Sequence, residues 1–110
     1  MKVRDLISNN FVPLTKYSGL DNEISSIFVG DLLSHVLASA NDGDILITVT
    51  SNLNTLAVAS LINLSMIIFP DNVPVSNELI LRAETEGIPL YRTALSAKDS
   101  ILHLVELGIK

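Results

Sequence analysis

Four small groups of residues in this sequence have types and spacings that suit chemistry. Asp31 and His35 lie four apart, which on a helix brings both side chains to one face. A carboxylate beside an imidazole is the pair that orients a general base. His103 has Asp99 four residues before it and Glu106 three after, a grouping with the ligand types of a weak metal site. Neither group comes with a nucleophile in a recognisable setting, and the sequence has no phosphate-binding glycine loop and no Gly-x-Ser-x-Gly turn. The expected role of both histidines is therefore local charge pairing on a helix exterior. No catalytic residue, metal site or cofactor is predicted, and a small enzyme built around Asp31 and His35 is the alternative.

The other two groups are polar rather than acid–base. Thr50, Ser51, Asn52 and Asn54 follow one apolar run, and Thr93 and Ser96 follow another, with Arg92 beside them. Beyond the carboxyl ends of strands in an open parallel sheet, such residues line the crevice where ligands bind. The amides of the helix that follows can receive an anion there. Ser, Thr and Asn also cap helices everywhere, so structural capping competes with this reading. Thr50, Ser51, Asn52, Asn54, Arg92, Thr93 and Ser96 are the candidate ligand-binding residues, for a small anionic or phosphorylated metabolite.

These groups need a particular set of elements to place them. Ile45, Leu46, Ile47 and Val49 are apolar without alternation, which predicts a strand covered on both faces. The Leu- and Ala-rich residues 53–64 then predict a buried helix. Residues 24–29, 66–69 and 88–92 read as further strands. Residues 11–14 form a short extended piece that Pro13 confines to a sheet edge. Helices are predicted from Val3 to about Asn9-Asn10, from Asp31 to Ala40, from Ser76 to Gly87 and from Ser96 to Gly108. Ser96 and Asp99 resemble a capping box. Strands alternate with helices from residue 24 onward. The fold class is thus α/β: a three-layer, mostly parallel sheet of about five strands flanked by helices.

Composition bounds the rest. A chain of 110 residues without an internal repeat is one domain, 1–110. Net charge is −5 and the seven Lys and Arg are scattered, which excludes nucleic acid as a partner. Asn63, Ser65 and Pro70 interrupt the most apolar region, so no membrane span is expected. The first residues show no secretory cleavage pattern and there is no cysteine, which predicts a cytoplasmic protein without disulfides.

Residues 20–34, Leu-Asp-Asn-Glu-Ile-Ser-Ser-Ile-Phe-Val-Gly-Asp-Leu-Leu-Ser, resemble the signature of the DRTGG domain family. Members read an Asp, then Thr-Gly-Gly, then an aromatic-Val pair and an Asp-Leu-Leu-Ser helix start. Here the motif positions are Asp21, Ser25, Ser26, Ile27 and Asp31, with Ser25 in place of Thr and Ser26 and Ile27 in place of the glycines. Gly43-Asp44, Asn54, Ala57-Val58-Ala59, Ala83-Glu84 and Gly87-Ile88-Pro89 extend the resemblance, in order, over the chain. It implies a non-enzymatic regulatory or ligand-responsive domain, with a fold similar to the N-terminal domain of HPr kinase/phosphorylase. A small-molecule ligand or a regulated partner protein is implied with it.

A homodimer is also predicted. Apolar residues make up 48% of the chain and mean hydropathy is +0.47. On the central helix Leu53, Leu56, Ala57, Leu61 and Leu64 form one stripe, and Val58, Ala59 and Ile62 fall outside it. A helix apolar all round needs cover all round. Bulky Ile27 needs cover too, so Ile27, Val58 and Ile62 are the candidate interface residues.

Overall fold

Three consecutive apolar residues make β3 (Ile45–Ile47) because both faces of that strand are covered. The computed structural model describes every residue except Asn9. Its sheet has five strands in the order β1-β5-β4-β3-β2. The others are β1 (Val12–Pro13), β2 (Ile27–Val29), β4 (Met66–Phe69) and β5 (Leu90–Arg92). The pairs β2–β3, β3–β4 and β4–β5 are parallel, and only β1 runs antiparallel, against β5. The register places Phe28 beside Leu46, Leu46 beside Ile67, and Ile68 beside Tyr91.

Strand order follows chain order from β2 to β5, so each crossover reaches the next neighbour. At the usual right hand this stacks α1 (Leu33–Ser39), α2 (Leu53–Leu61) and α3 (Asn77–Glu86) on one face. Their Val36, Leu56, Ala59, Leu79 and Ala83 pack with Leu46, Ile67, Phe69 and Leu90. The intervening strand residues Ile45, Ile47, Met66, Ile68 and Tyr91 point the other way. They meet Leu104 of α4 (Ala97–Glu106), Ile109, and Val3, Leu6 and Phe11 from the N-terminal segment. This is the three-layer α/β sandwich expected. Within the second core the Tyr91 hydroxyl has no hydrogen-bond partner among the described residues. Burial raises its pKa, with the Arg4 guanidinium acting against the rise.

Several boundaries differ from expectation. The first helix is a short 3-10 turn, Val3–Leu6, and the Asn9 end predicted for it lies outside the described residues. β2 begins at Ile27 rather than residue 24. α1 begins at Leu33, with Leu32 at its N-cap position, so Asp31 precedes the helix instead of opening it. α2 stops at Leu61, and Asn63 turns the chain with φ 55°.

The face of α2 is also corrected. Its buried residues are Thr55, Leu56, Val58 and Ala59, whereas Leu53 and Leu61, assigned to the stripe, are 45% and 74% exposed. The helix is not apolar all round in its surroundings. Val58 belongs to the first core, Ile62 packs against it, and Ile27 packs against the second core, so all three find apolar cover within the chain. On α4 Val105 is 52% exposed, because Ser100 and Leu104 hold the inward face.

The strap that follows β1 is fastened from outside the sheet. The Glu84 carboxylate of α3 accepts the backbone N–H groups of Lys16 (2.8 Å), Tyr17 (2.8 Å) and Ser18 (3.1 Å). The Ser18 hydroxyl donates to the Glu84 carbonyl at 2.7 Å. Burial pushes the Glu84 pKa up, but the donors of Tyr17, Lys16 and Ser18 outweigh it and leave it below the usual glutamate range.

Candidate functional site

Parallel strands end together, so the loops after β2, β3, β4 and β5 share one edge of the sheet. Most of the candidate ligand-binding residues are there, and most are occupied by structural hydrogen bonds. Asn52 caps α2, its Oδ1 accepting the N–H of Asn54 at 2.9 Å and of Thr55 at 3.3 Å. The Thr50 hydroxyl donates to the Asp31 carbonyl at 2.9 Å, and the Ser51 hydroxyl to the Pro74 carbonyl at 3.0 Å. Ser96 caps α4 by accepting the Asp99 N–H at 3.0 Å. Thr93 is buried, and its hydroxyl accepts the Leu95 N–H at 3.1 Å. Arg92 is different: its guanidinium is exposed and makes no ion pair among the described residues.

The loop between β4 and α3 divides this edge. Ser51 and Asn52 line a cleft of about 210 Å³ with Leu53, Ser76, Glu78 and Leu79. Arg92 lines a separate groove of about 340 Å³ with Leu14, Asn72, Val73, Pro74 and Val75. The two candidate groups therefore do not form one pocket. Leu14, Asn72, Val73, Pro74 and Val75 are not among the candidate residues read from the sequence. The signal was present in Asp71-Asn72, the residue types that tolerate left-handed backbone. Their φ angles are 57° and 52°, and the Val73 N–H closes the turn on the Pro70 carbonyl at 3.1 Å. The Asp71 and Asn72 N–H groups bind the carbonyls of Leu95 and Thr93, each at 2.9 Å.

The motif residues separate to opposite ends of β2. Asp31 lies at the carboxyl end. Its Oδ1 accepts the Thr48 hydroxyl at 2.9 Å and the Val49 N–H at 2.8 Å, tying β2 to the loop that follows β3. Asp21, Ser25 and Ser26 lie before the amino end. Asp21 pairs with Arg4 at 2.8 Å, and that hydrogen bond and charge hold its carboxyl below the usual range. The Ser25 hydroxyl donates to the Asp42 carbonyl at 3.0 Å, and the Ser26 hydroxyl to the Lys110 carbonyl. A cleft of about 190 Å³ at this end is lined by Asn22, Glu23, Asp42, Gly43, Asn63, Leu64 and Ser65.

The acid–base candidates do not assemble. No Asp31–His35 ion pair exists among the described residues, because the Asp31 carboxylate turns to Thr48 and Val49. The His35 ring instead packs on Phe28, centroids 5.6 Å apart. His103 packs on Phe11 at 5.3 Å, and its Nε2 lies 3.4 Å from the Asn10 amide nitrogen. No three His, Asp or Glu side chains are grouped to hold a metal among the described residues. No helix there is long and apolar enough to cross a membrane.

A mostly parallel, doubly covered sheet with a groove beyond its strand ends defines the chain as a three-layer α/β domain. Among solved structures it is similar to the CBS and DRTGG domains of the regulatory region of Clostridium perfringens pyrophosphatase, crystallised with its activator diadenosine tetraphosphate. The TM-score is 0.67 at 16% identity, over 86% of this chain. The chain spans 41% of that neighbour's length. The likeness is one of fold, and it agrees with the family resemblance carried by residues 20–34. No family profile and no curated protein matches the sequence.

Proposed function

We propose that this domain is a non-enzymatic, cytoplasmic regulatory module that senses a small anionic or phosphorylated ligand at the carboxyl edge of its sheet and works as a homodimer. The observation that carries the reading is the fold, shared with a regulatory region that binds a nucleotide activator. The unpaired Arg92 beside a groove at that edge supports it. The separation of Asp31 from His35 weighs against the enzymatic alternative.

A thermal-shift screen against nucleotides and central metabolites, with turnover followed in parallel, tests the sensing role. Stabilisation by a ligand without its conversion is expected, at about 2.7 kcal/mol when the ligand stands at a hundred times its Kd. Turnover that disappears in His35→Ala overturns the reading.

The dimer has a specific support. β2 is an open sheet edge, and residues 25–30 contain neither a charge nor a proline to guard it. Val29 and Leu32 beside it are 43% and 68% exposed. Ile27 belongs to this edge, while Ile62 keeps part of its surface free at the end of α2. Sedimentation equilibrium at micromolar concentration is expected to show a dimer that Val29→Lys with Leu32→Lys dissociates without unfolding. A wild-type monomer overturns the dimer.

A further inference from the structure

We propose that the ligand occupies the groove of Leu14, Asn72, Val73, Pro74, Val75 and Arg92, and that it is a nucleoside monophosphate: one phosphate carried on one flat ring system. This deepens the ligand-sensing reading above and rests on it. The groove's volume of about 340 Å³ stands at the low end of small-molecule sites, which suits one base and one phosphate and is small for a dinucleotide.

The lining divides by chemistry. Leu14, Val73, Pro74 and Val75 supply a small apolar patch within a mostly polar lining, against which one edge or face of a ring can rest. Arg92 supplies the one charge on the lining, and no carboxylate lines the groove. A guanidinium held unpaired in a chain of net charge −5 attracts an anion, and its planar fork matches phosphate with two parallel hydrogen bonds. The Asn72 amide offers both donors and an acceptor to the edge of a base.

The rim is also fixed in advance. Asp71 and Asn72 hold left-handed backbone through hydrogen bonds to Leu95 and Thr93, so Asn72 keeps its place before a ligand arrives. Two other clefts pair a cation with apolar side chains, but each holds a carboxylate as well: Glu78 with Arg82, and Glu84 with Lys16. The cleft at Ser51 contains Glu78 and no cation, and the cleft at Asn22 is lined by Glu23 and Asp42.

Titration of the ¹⁵N-labelled protein with adenosine monophosphate, adenosine, inorganic phosphate and diadenosine tetraphosphate tests the proposal. Adenosine monophosphate is expected to shift the amides of residues 72–75 and 92. Adenosine and phosphate alone should bind about ten-fold more weakly or worse. Arg92→Gln should weaken the monophosphate about ten-fold or more, to the level of adenosine. Asn72→Gly, which suits the left-handed backbone and so keeps the fold, should weaken adenosine and the monophosphate alike. Unchanged affinity in Arg92→Gln, phosphate binding as tightly as the monophosphate, or shifts confined to another cleft each overturns the groove while leaving ligand sensing in place. Stronger binding of the dinucleotide through the same residues overturns the one-phosphate assignment. If nothing in a wider metabolite panel binds either, the sensing reading falls with it.

Discussion

Glu84→Ala is expected to destabilise the domain by about 1.5–3 kcal/mol, a fall in Tm on the order of 10 °C. The carboxylate accepts three successive backbone N–H groups, and alanine leaves all three to water or to nothing. Glu84→Gln keeps an acceptor but not the charge, so its loss should be roughly half. The effect carries a pH signature. The Glu84 pKa is lower in the folded chain than in the unfolded one, because the N–H donors outweigh desolvation. Its contribution is therefore complete above the unfolded value and is lost as pH falls through the folded value. Denaturant melts of wild type should show stability flat from neutrality to about pH 5 and falling below it, and the alanine variant should fall less steeply. Parallel pH profiles for the two proteins refute the assignment.

Gly43→Ala is expected to cost about 2–4 kcal/mol, for two separate reasons. The residue sits at φ +84°, where any side chain meets its own backbone. An added Cβ would also overlap the Ser25 hydroxyl and come 3.2 Å from the Ser25 Cβ. Ser25 cannot move away freely, since its N–H binds the Gly43 carbonyl at 2.9 Å and its hydroxyl binds the Asp42 carbonyl. A double-mutant cycle separates the two terms. Ser25→Ala with Gly43→Ala removes the overlap with the hydroxyl but not the left-handed strain, so it should cost less than the two single changes summed, by about 0.5–1 kcal/mol. Strict additivity in urea melts shows that the close approach of Ser25 contributes nothing.

Ser25 also shows why the motif was readable while its purpose was not. A hydroxyl at that position fastens the entry of β2 to the turn before β3, a task Ser performs as Thr would. Asp31 performs the same kind of task at the other end of β2, through Thr48 and Val49. From the sequence these residues looked like one site because they are close in the chain, yet a strand runs between them. The layers were legible because the apolar residues on β3 and β4 are consecutive, a pattern that burial on both faces imposes. The face of α2 was not. Thr55 is buried there with its hydroxyl on the Thr50 carbonyl at 2.7 Å, a local hydrogen bond that no hydropathy pattern reports. The groove was half legible: Arg92 stood out by charge, but Leu14 reaches it from the opposite end of the chain.

That last contact bears on how the chain folds. Each parallel pair joins strands separated by one helix, whereas Val12 pairs with Arg92 across nearly the whole sequence. Closing so long a loop is entropically costly and returns little until β5 is already in place. The sheet can grow strand by strand from β2 to β5, and the N-terminal strap then latches on through Leu14 N–H to Leu90 O at 2.8 Å and through Glu84. One wall of the groove therefore depends on the longest-range strand pairing in the sheet, and an occupant that leans on Leu14 holds distant parts of the chain together.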